Sequence, residues 1–461
     1  MRKLLGFITV LLLAVALVAC NGGTQGGEGD EKVDKLTIWA DSTYWGGENG
    51  KLVNQMVKLY QEETGIEVIY EPQPNLKDKM KGAKLGGETA DVVIWDRWET
   101  VAFVDDDSLV DLKRYIEEDG INLEEYQQEA LSEMIDGDGI YGLPLDIDAW
   151  GYWVNKTLVR EANARLKAEG KPEVQELPKT WDELRETAIA TTKRDANGKM
   201  TVAGMNLDTA GSFYSYIQTA GGQMLKEEGG QTKAAFNTPQ GRMVIQFWYD
   251  LIHEHKVFSQ ELLGTGGGTD DPFVTQLVAI QSNSLLNGSR FYEQYVGDKF
   301  EYEFIPFPKG PSSDLALTPE DAGKYAGGLM GGFGLTVPST SKKQRAAWNL
   351  IKWWITDTDK VVQWANISQL IPAKISVIEE LKAENIPNVR NVLDVLPHLK
   401  VRPKAKGYPS VETAVVMGLI PTVLFGDGYM RGHDGSPAER INALLNDMER
   451  QANETFIFAN M

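Results

Sequence analysis

From residue 33 onward, apolar and polar positions fall into blocks, each about the length of one element. Lys35–Ala40 (KLTIWA), Ile66–Tyr70 (IEVIY) and Asp91–Trp95 (DVVIW) are short, near-continuous apolar runs, the pattern of buried strands. Between the first two, Leu52, Met56, Leu59 and Tyr60 recur at helical spacing, with Asn49 as a candidate N-cap and Gly65 as the stop. A further helix is expected through Leu85. Strand–helix–strand order with strands apolar on both faces predicts an α/β fold whose parallel sheet carries helices on either side. Ligands of such sheets sit beyond the carboxyl ends of the strands, which directs attention to Asp41–Trp45 and to Asp96–Trp98.

Farther along, Thr180-Trp-Asp-Glu183 and Ser436-Pro-Ala-Glu439 read as capping boxes. Ser341-Lys-Lys-Gln344 reads as a third, ahead of an apolar stripe at Ala347, Leu350, Ile351 and Trp354. Asp195-Ala-Asn-Gly-Lys199 has a faint calcium-loop look but lacks the later acidic ligands, so a hairpin turn is expected. Two stretches have the look of crossings between lobes: aromatic-rich Pro144–Lys156, and Tyr325–Pro338 with its five glycines. Glycine there lets the backbone swing as lobes close.

The first residues show another pattern. Arg2 and Lys3 precede an apolar run from Leu4 to Leu17, shorter than the ~20 residues of a spanning helix, and then comes Leu17-Val-Ala-Cys20. This ending resembles the lipobox of bacterial lipoproteins and implies a signal peptide over 1–19, with Cys20 lipidated at the mature N-terminus and stable anchoring through two or more acyl chains. Cys20 is the sole cysteine, so no disulfide framework exists. Asn21–Asp30, with five glycines and no apolar residue, reads as part of a flexible tether over 20–32, roughly 15–20 Å in root-mean-square span.

Composition narrows the function classes. Without Arg2 and Lys3 the mature chain has 44 basic against 66 acidic residues, a balance of −22. That sign argues against nucleic acid, whose phosphates need Lys and Arg, and favours a neutral or cationic ligand. About 430 folded residues exceed one hydrophobic core and predict two domains. Only four histidines occur (253, 255, 398 and 433), and His253-Glu-His255 has no third partner at usable spacing, so no metal or cofactor is expected. The acidic run Asp105-Asp-Asp107 reads as a solvated loop.

These words in this order resemble the family 1 extracellular solute-binding proteins, the group that includes maltose-binding protein. KLTIWA with its following helix looks like the family's start, and Ala90–Arg97 (ADVVIWDR) like its strand ending in Trp near an Asp-Arg pair. Pro144–Lys156 is similar to the first hinge segment, with Val154 where tyrosine is usual. Leu286-Asn-Gly-Ser289 is similar to the family's Asn-Gly-small motif, with Arg290 in place of a stacking aromatic. Glu303–Gly310 and Leu370–Lys374 complete the series. The resemblance implies two α/β lobes, each a mostly parallel sheet flanked by helices, joined by a multi-strand hinge. It divides the chain into 33–146 with 333–385 and 147–332 with 386–461. It further implies a monomer, lipid-anchored on the extracytoplasmic face of the cell membrane, that hands a small solute to the permease subunits of an ABC importer, with no catalysis of its own. A sugar or oligosaccharide is the expected solute; a polyamine, peptide or phosphorylated compound is the alternative.

Sugars present apolar C–H faces to aromatic rings and hydroxyl edges to carboxylates, guanidinium groups and amides. Trp95, Asp96, Arg97 and Trp98 supply all of these at one strand end, although the same residues can instead close the core, cap a helix and pair internally. Asp41, Ser42, Tyr44 and Trp45 follow the first strand, where Asp41 can equally cap the next helix. Asp148 and Trp150 lie in the hinge segment, where a buried acid can also satisfy backbone amides. Asp208, Phe213 and Tyr214 follow a strand over Thr201–Leu207, Asn287 and Arg290 follow a strand at Leu285–Leu286, and Tyr408 and Glu412 begin a late helix. Gly331 and Gly332 either present amides to the ligand or serve the hinge alone.

Overall fold

The computed structural model describes residues 33–263, 268–384, 387–425 and 435–460, so Cys20, the leader and the tether lie outside the described residues. Among the described residues, thirteen strands build the two larger sheets. They are β1 (Lys35–Asp41), β2 (Glu67–Gln73), β3 (Val92–Asp96), β4 (Gly142–Pro144), β5 (Asp146–Asn155), β6 (Lys193–Arg194), β7 (Met200–Met205), β8 (Val278–Ser284), β9 (Tyr302–Pro306), β10 (Gly328–Gly331), β11 (Phe333–Thr336), β12 (Ile371–Pro372) and β13 (Leu399–Lys400).

Five of them form one sheet in the order β2-β1-β3-β11-β4. The three runs legible as apolar blocks, β1 to β3, pair in parallel (Lys35 opposite Glu67, Ile38 opposite Val92), while β11 and β4 join antiparallel. The other eight build a second sheet around β5, which takes β8, β9, β10 and β12 as antiparallel partners. Its parallel pairs are β7 with β8 and β10 with β13. Both sheets are therefore mixed, and the chain enters β11 of the first sheet and β5 of the second directly from the other sheet. Every residue of β5 except Trp150 is buried, which a central strand requires.

The chain passes between the sheets where the glycine-rich and aromatic-rich stretches lie. Leu145 separates β4 from β5, and Gly332 separates β10 from β11. Gly332 has φ +131°, a region open essentially to glycine, and a Cβ there would fall 2.6 Å from the Asp146 carbonyl oxygen and closer still to the Arg97 guanidinium. Gly332→Ala is expected to lower stability by about 2 kcal/mol or more, read by chemical denaturation; an unchanged midpoint would mean that the crossing relaxes freely.

Local signals fared unequally. The boxes at Thr180/Glu183 and Ser436/Glu439 are both formed, and Asp195 Oδ1 accepts from the Asn197 and Lys199 amides at 2.9 Å in a β6–β7 hairpin turn. Asn49 does not cap: Gly46 does, and Asn49 Nδ2 donates instead to the Tyr44 carbonyl at 2.8 Å. Ser341 Oγ donates to Asp91 Oδ1 at 2.8 Å and accepts from the Lys343 amide at 3.1 Å, and the helix Gln344–Ile355 starts after Lys343 without a side-chain cap. Leu285 and Leu286 open the helix Leu285–Tyr295 and are not a strand; Ser284 is its N-cap. The strand expected over Thr201–Leu207 stops at Met205.

Two apolar clusters flank this framework. The larger includes Trp181, Tyr216, Trp248, Ile280, Tyr408 and Leu445, and joins the second sheet to the last helices. The smaller packs Trp39, Val93 and Trp95 under Met80 and Phe103 on one face of the first sheet.

Candidate functional site

At the carboxyl ends of β1 and β3, Asp41, Tyr44, Lys77, Ile94, Asp96, Glu99 and Phe333 line a crevice. Its volume of about 20 Å³ holds about one water, so a solute enters this region only when it opens. Asp41 Oδ1 accepts from the Thr43 amide at 2.8 Å, which caps the helix Ser42–Trp45 and sets Tyr44 on the crevice wall. Tyr44 packs on Phe333 with ring centroids 5.5 Å apart. Burial, then the negative charges of Asp96 and Glu99, push its phenol up to about 12, so it stays a hydrogen-bond donor. Burial also raises the carboxyls of Asp96 and Glu99; Arg402 and Arg97 oppose the first shift and Lys77 the second.

Trp98 stands beside these acids, and two cations lie over its ring: Lys77 at 5.8 Å and Arg402 at 5.1 Å from the centroid. Lys77 also pairs with Glu99, and Arg402 is held by both carboxylate oxygens of Glu412 at 3.2 Å. The candidates Asp41, Ser42, Tyr44, Asp96, Trp98 and Glu412 thus share one neighbourhood.

A second group surrounds the start of the helix Leu285–Tyr295. Asp148 Oδ1 accepts from the Leu286 amide at 2.9 Å and Ser284 Oγ from the Asn287 amide at 3.1 Å, placing a carboxylate at the positive end of the helix. Burial still dominates and raises Asp148 to about 7. Trp150, opposite Ser284 on β8, is the half-buried exception of its strand. Asn287 and Arg290 lie on the same helix, and Arg290 pairs with Glu293 at 3.8 Å. Asp208, just past β7, is close enough to Tyr152 for its charge to raise that phenol.

The remaining candidates lie in the interior. Trp45 is fully buried against Phe333 and Trp364, and Trp95, buried on Phe103 with centroids 4.4 Å apart, also borders the crevice. Phe213 lies among Phe236 and Trp248, Tyr214 donates to the Val401 carbonyl, and Tyr408 is 1% exposed. Arg97 is wholly buried. It meets Glu133 at 3.0 Å, the Gly331 carbonyl at 2.6 Å, the Phe333 carbonyl at 3.3 Å and the Asp146 carbonyl. Gly331 and Gly332 give their carbonyls to Arg97 and flank the crossing between the sheets. In this conformation the aromatics serve the apolar clusters, and Arg97 with Gly331 and Gly332 fastens the crossovers.

Sequence reading overlooked Lys77, Glu99, Phe333 and Arg402. For Arg402 a signal existed, since Lys400, Arg402, Lys404 and Lys406 take every second position of a short basic segment in an otherwise acidic chain.

Two mixed sheets joined by repeated crossings, with an aromatic and acidic constellation at strand ends, define a two-lobed solute-binding fold. A family model for bacterial extracellular solute-binding proteins matches residues 45–361, and the chain belongs to that family. Solved structures agree on the fold. One is an ABC transporter solute-binding protein from Thermotoga lettingae TMO bound with alpha-D-tagatose: TM-score 0.71, 21% identity, 92% of this chain and 100% of that one. Another is the cyclic alpha-maltosyl-1,6-maltose binding protein from Arthrobacter globiformis: TM-score 0.68, 22% identity, 92% and 99% coverage. A third is UgpB from Mycobacterium tuberculosis in complex with glycerophosphocholine: TM-score 0.70, 16% identity, 93% and 99% coverage. Among the described residues no helix is long and apolar enough to cross a membrane.

Proposed function

We propose that the protein captures a sugar or oligosaccharide between its lobes and passes it to the permease of an ABC importer, held at the membrane through acylated Cys20. The lobes are taken as 33–146 with 333–385 and 147–332 with 386–461. The observation that carries this reading is the juxtaposition of Tyr44 and Trp98 with Asp41, Asp96 and Glu99 at the ends of β1 and β3. Rings cover the apolar faces of a pyranose, and carboxylates accept from its hydroxyls at the edges. In the open protein the ligand takes the Trp98 face that Arg402 covers here. Structural neighbours that bind tagatose and a cyclic maltosyl-maltose support a sugar.

A thermal-shift screen of mono- and oligosaccharides tests it. A true ligand stabilises by RT ln(1 + [L]/Kd), about 2.7 kcal/mol at a hundredfold excess over Kd. Stabilisation by no sugar would sink the reading. With a hit in hand, Trp98→Ala is expected to weaken titration-calorimetric affinity at least about tenfold while leaving unfolding cooperative. Unchanged affinity would place the ligand elsewhere.

A cationic solute is the second reading, favoured by one observation: the Trp98 ring already serves two cations, amid Asp96 and Glu99. Arg97, which would repel such a ligand, points into the crossovers instead. A neighbour that binds glycerophosphocholine shows that this fold also takes ligands other than simple sugars. Adding polyamines and choline esters to the same screen separates the readings.

A further inference from the structure

We propose that Lys400–Lys406 is an electrostatic strap by which the lobe of the second sheet clasps the lobe of the first. The segment reads Lys400-Val-Arg402-Pro-Lys404-Ala-Lys406, four basic residues in seven positions of a chain whose net charge is −20. Alternation is the key feature. Basic residues take every second position from the end of β13 at Lys400 to the turn at Lys406.

The contacts follow that alternation. Val401 and Ala405 belong to the strap's own lobe: the Val401 carbonyl accepts from the Tyr214 hydroxyl, and Ala405 packs on the larger core. The strap begins in β13, paired with β10 of the second sheet, and Glu412 fixes Arg402 from the same lobe. All four cations meet the first-sheet lobe. Lys400 pairs with Glu129; Arg402 lies over Trp98 and is drawn further by Asp96 and Glu133. Lys404 Nζ donates to the Ser132 carbonyl at 2.6 Å, and Lys406 Nζ lies 3.3 Å from Asp105 Oδ2. The partners come from three separate segments around 96–98, 105 and 129–133, so the strap spans the rim of one lobe.

Each pair involving Lys400 or Lys406 is about half exposed and therefore weak alone and sensitive to salt. Weakness suits a clasp that must release. Together the contacts bias the open–closed equilibrium by several-fold while leaving closure reversible. The proposal rests on lobe closure but not on the identity of the solute.

The test therefore uses ligand-free protein, with radius of gyration from small-angle scattering as the readout between about 50 mM and 500 mM salt. Three chains are compared: wild type, the neutral triple variant Lys400→Gln/Lys404→Gln/Lys406→Gln, and a charge swap, Lys400→Glu/Lys406→Glu with Glu129→Lys/Asp105→Lys. The wild type is expected to expand as salt rises. The triple variant is expected to sit roughly 3- to 30-fold toward the open form at low salt, with matching circular dichroism, and the swap to regain compaction. A radius that is the same at all salt concentrations and in all three chains would overturn the proposal. So would a swap no more compact than the triple variant. Failure of the sugar reading would leave these scattering results unchanged, so the two ideas fail separately.

Discussion

Arg97→Met is expected to destabilise the protein by about 3–5 kcal/mol, the usual cost of removing one partner from a buried ion pair. Arg97 is entirely shielded from water, and its three nitrogens meet the Glu133 carboxylate and the carbonyls of Gly331, Phe333 and Asp146. Three of those acceptors belong to strands on either side of the crossings, so the guanidinium ties β3 to the points where chain passes between sheets. Methionine matches much of the volume but none of the donors, and each abandoned buried acceptor bears its desolvation cost. Burial already holds the Glu133 carboxyl up near 7 with Arg97 present, so without the cation it is expected to take a proton instead of remaining charged. The double variant Arg97→Met/Glu133→Gln should therefore recover part of the loss. Chemical denaturation of the four members of this cycle decides it. A cost under about 1 kcal/mol for Arg97→Met would show that Arg97 is not the fastening described here.

The second large effect concerns pH. Asp146 is fully buried at the start of β5, its Oδ1 accepting from the Phe333 amide at 3.0 Å while Oδ2 has no hydrogen bond. Burial raises this carboxyl to about 7; the Phe333 amide, Arg97 and the nearby Trp364 indole lower it, and Asp148 raises it further. The ordinary value is 3.8, so between about 4 and 7 the folded chain carries a proton there that the unfolded chain has lost. Stability from this group is thus complete below pH 4 and drains away as pH climbs to 7. Asp146→Asn cannot titrate. Any fixed cost of the amide is the same at every pH, so the wild-type-minus-variant difference removes it. That difference should shift against the wild type by about 2–4 kcal/mol from pH 4 to pH 8. Glu133, also raised to about 7, contributes a slope of the same sign in both proteins; Asp148 does too, but its charge couples to that of Asp146, so the difference reports the carboxyl together with this coupling. A difference independent of pH would mean that Asp146 ionises in the fold as readily as in the unfolded chain.

These two residues show where reading from sequence stops. The strands β1 and β3 were legible because burial on both faces forces apolar runs; β2 is an edge strand with only Val68 buried. The crossings were legible because Gly332 must adopt φ +131°. Capping boxes at Thr180 and Ser436 depend only on residues three apart, and both formed. Ser341 has the same local grammar, but its hydroxyl bridges Asp91, 250 residues earlier, and the Lys343 amide, and the helix begins only at Gln344. For Arg97 the sequence offered a ligand or its neighbour Asp96 as partner, whereas the acceptors it uses are far off in the chain; two lie more than 230 residues away. Trp45 and Trp95 were indistinguishable from Trp98 by type and spacing, yet helix and sheet geometry turn them inward. Loop position grouped Asp41, Tyr44, Asp96 and Trp98, and long-range packing decided which of the aromatics is buried.

Capture of a sugar at Trp98 between the lobes is tested most directly by native mass spectrometry of the protein purified from its own host, with Trp98→Ala prepared in parallel. The expected result is a non-covalent adduct on the wild type whose mass is that of a sugar or oligosaccharide, lost or sharply reduced in Trp98→Ala. An adduct of other composition, or a sugar retained equally by the variant, would contradict it.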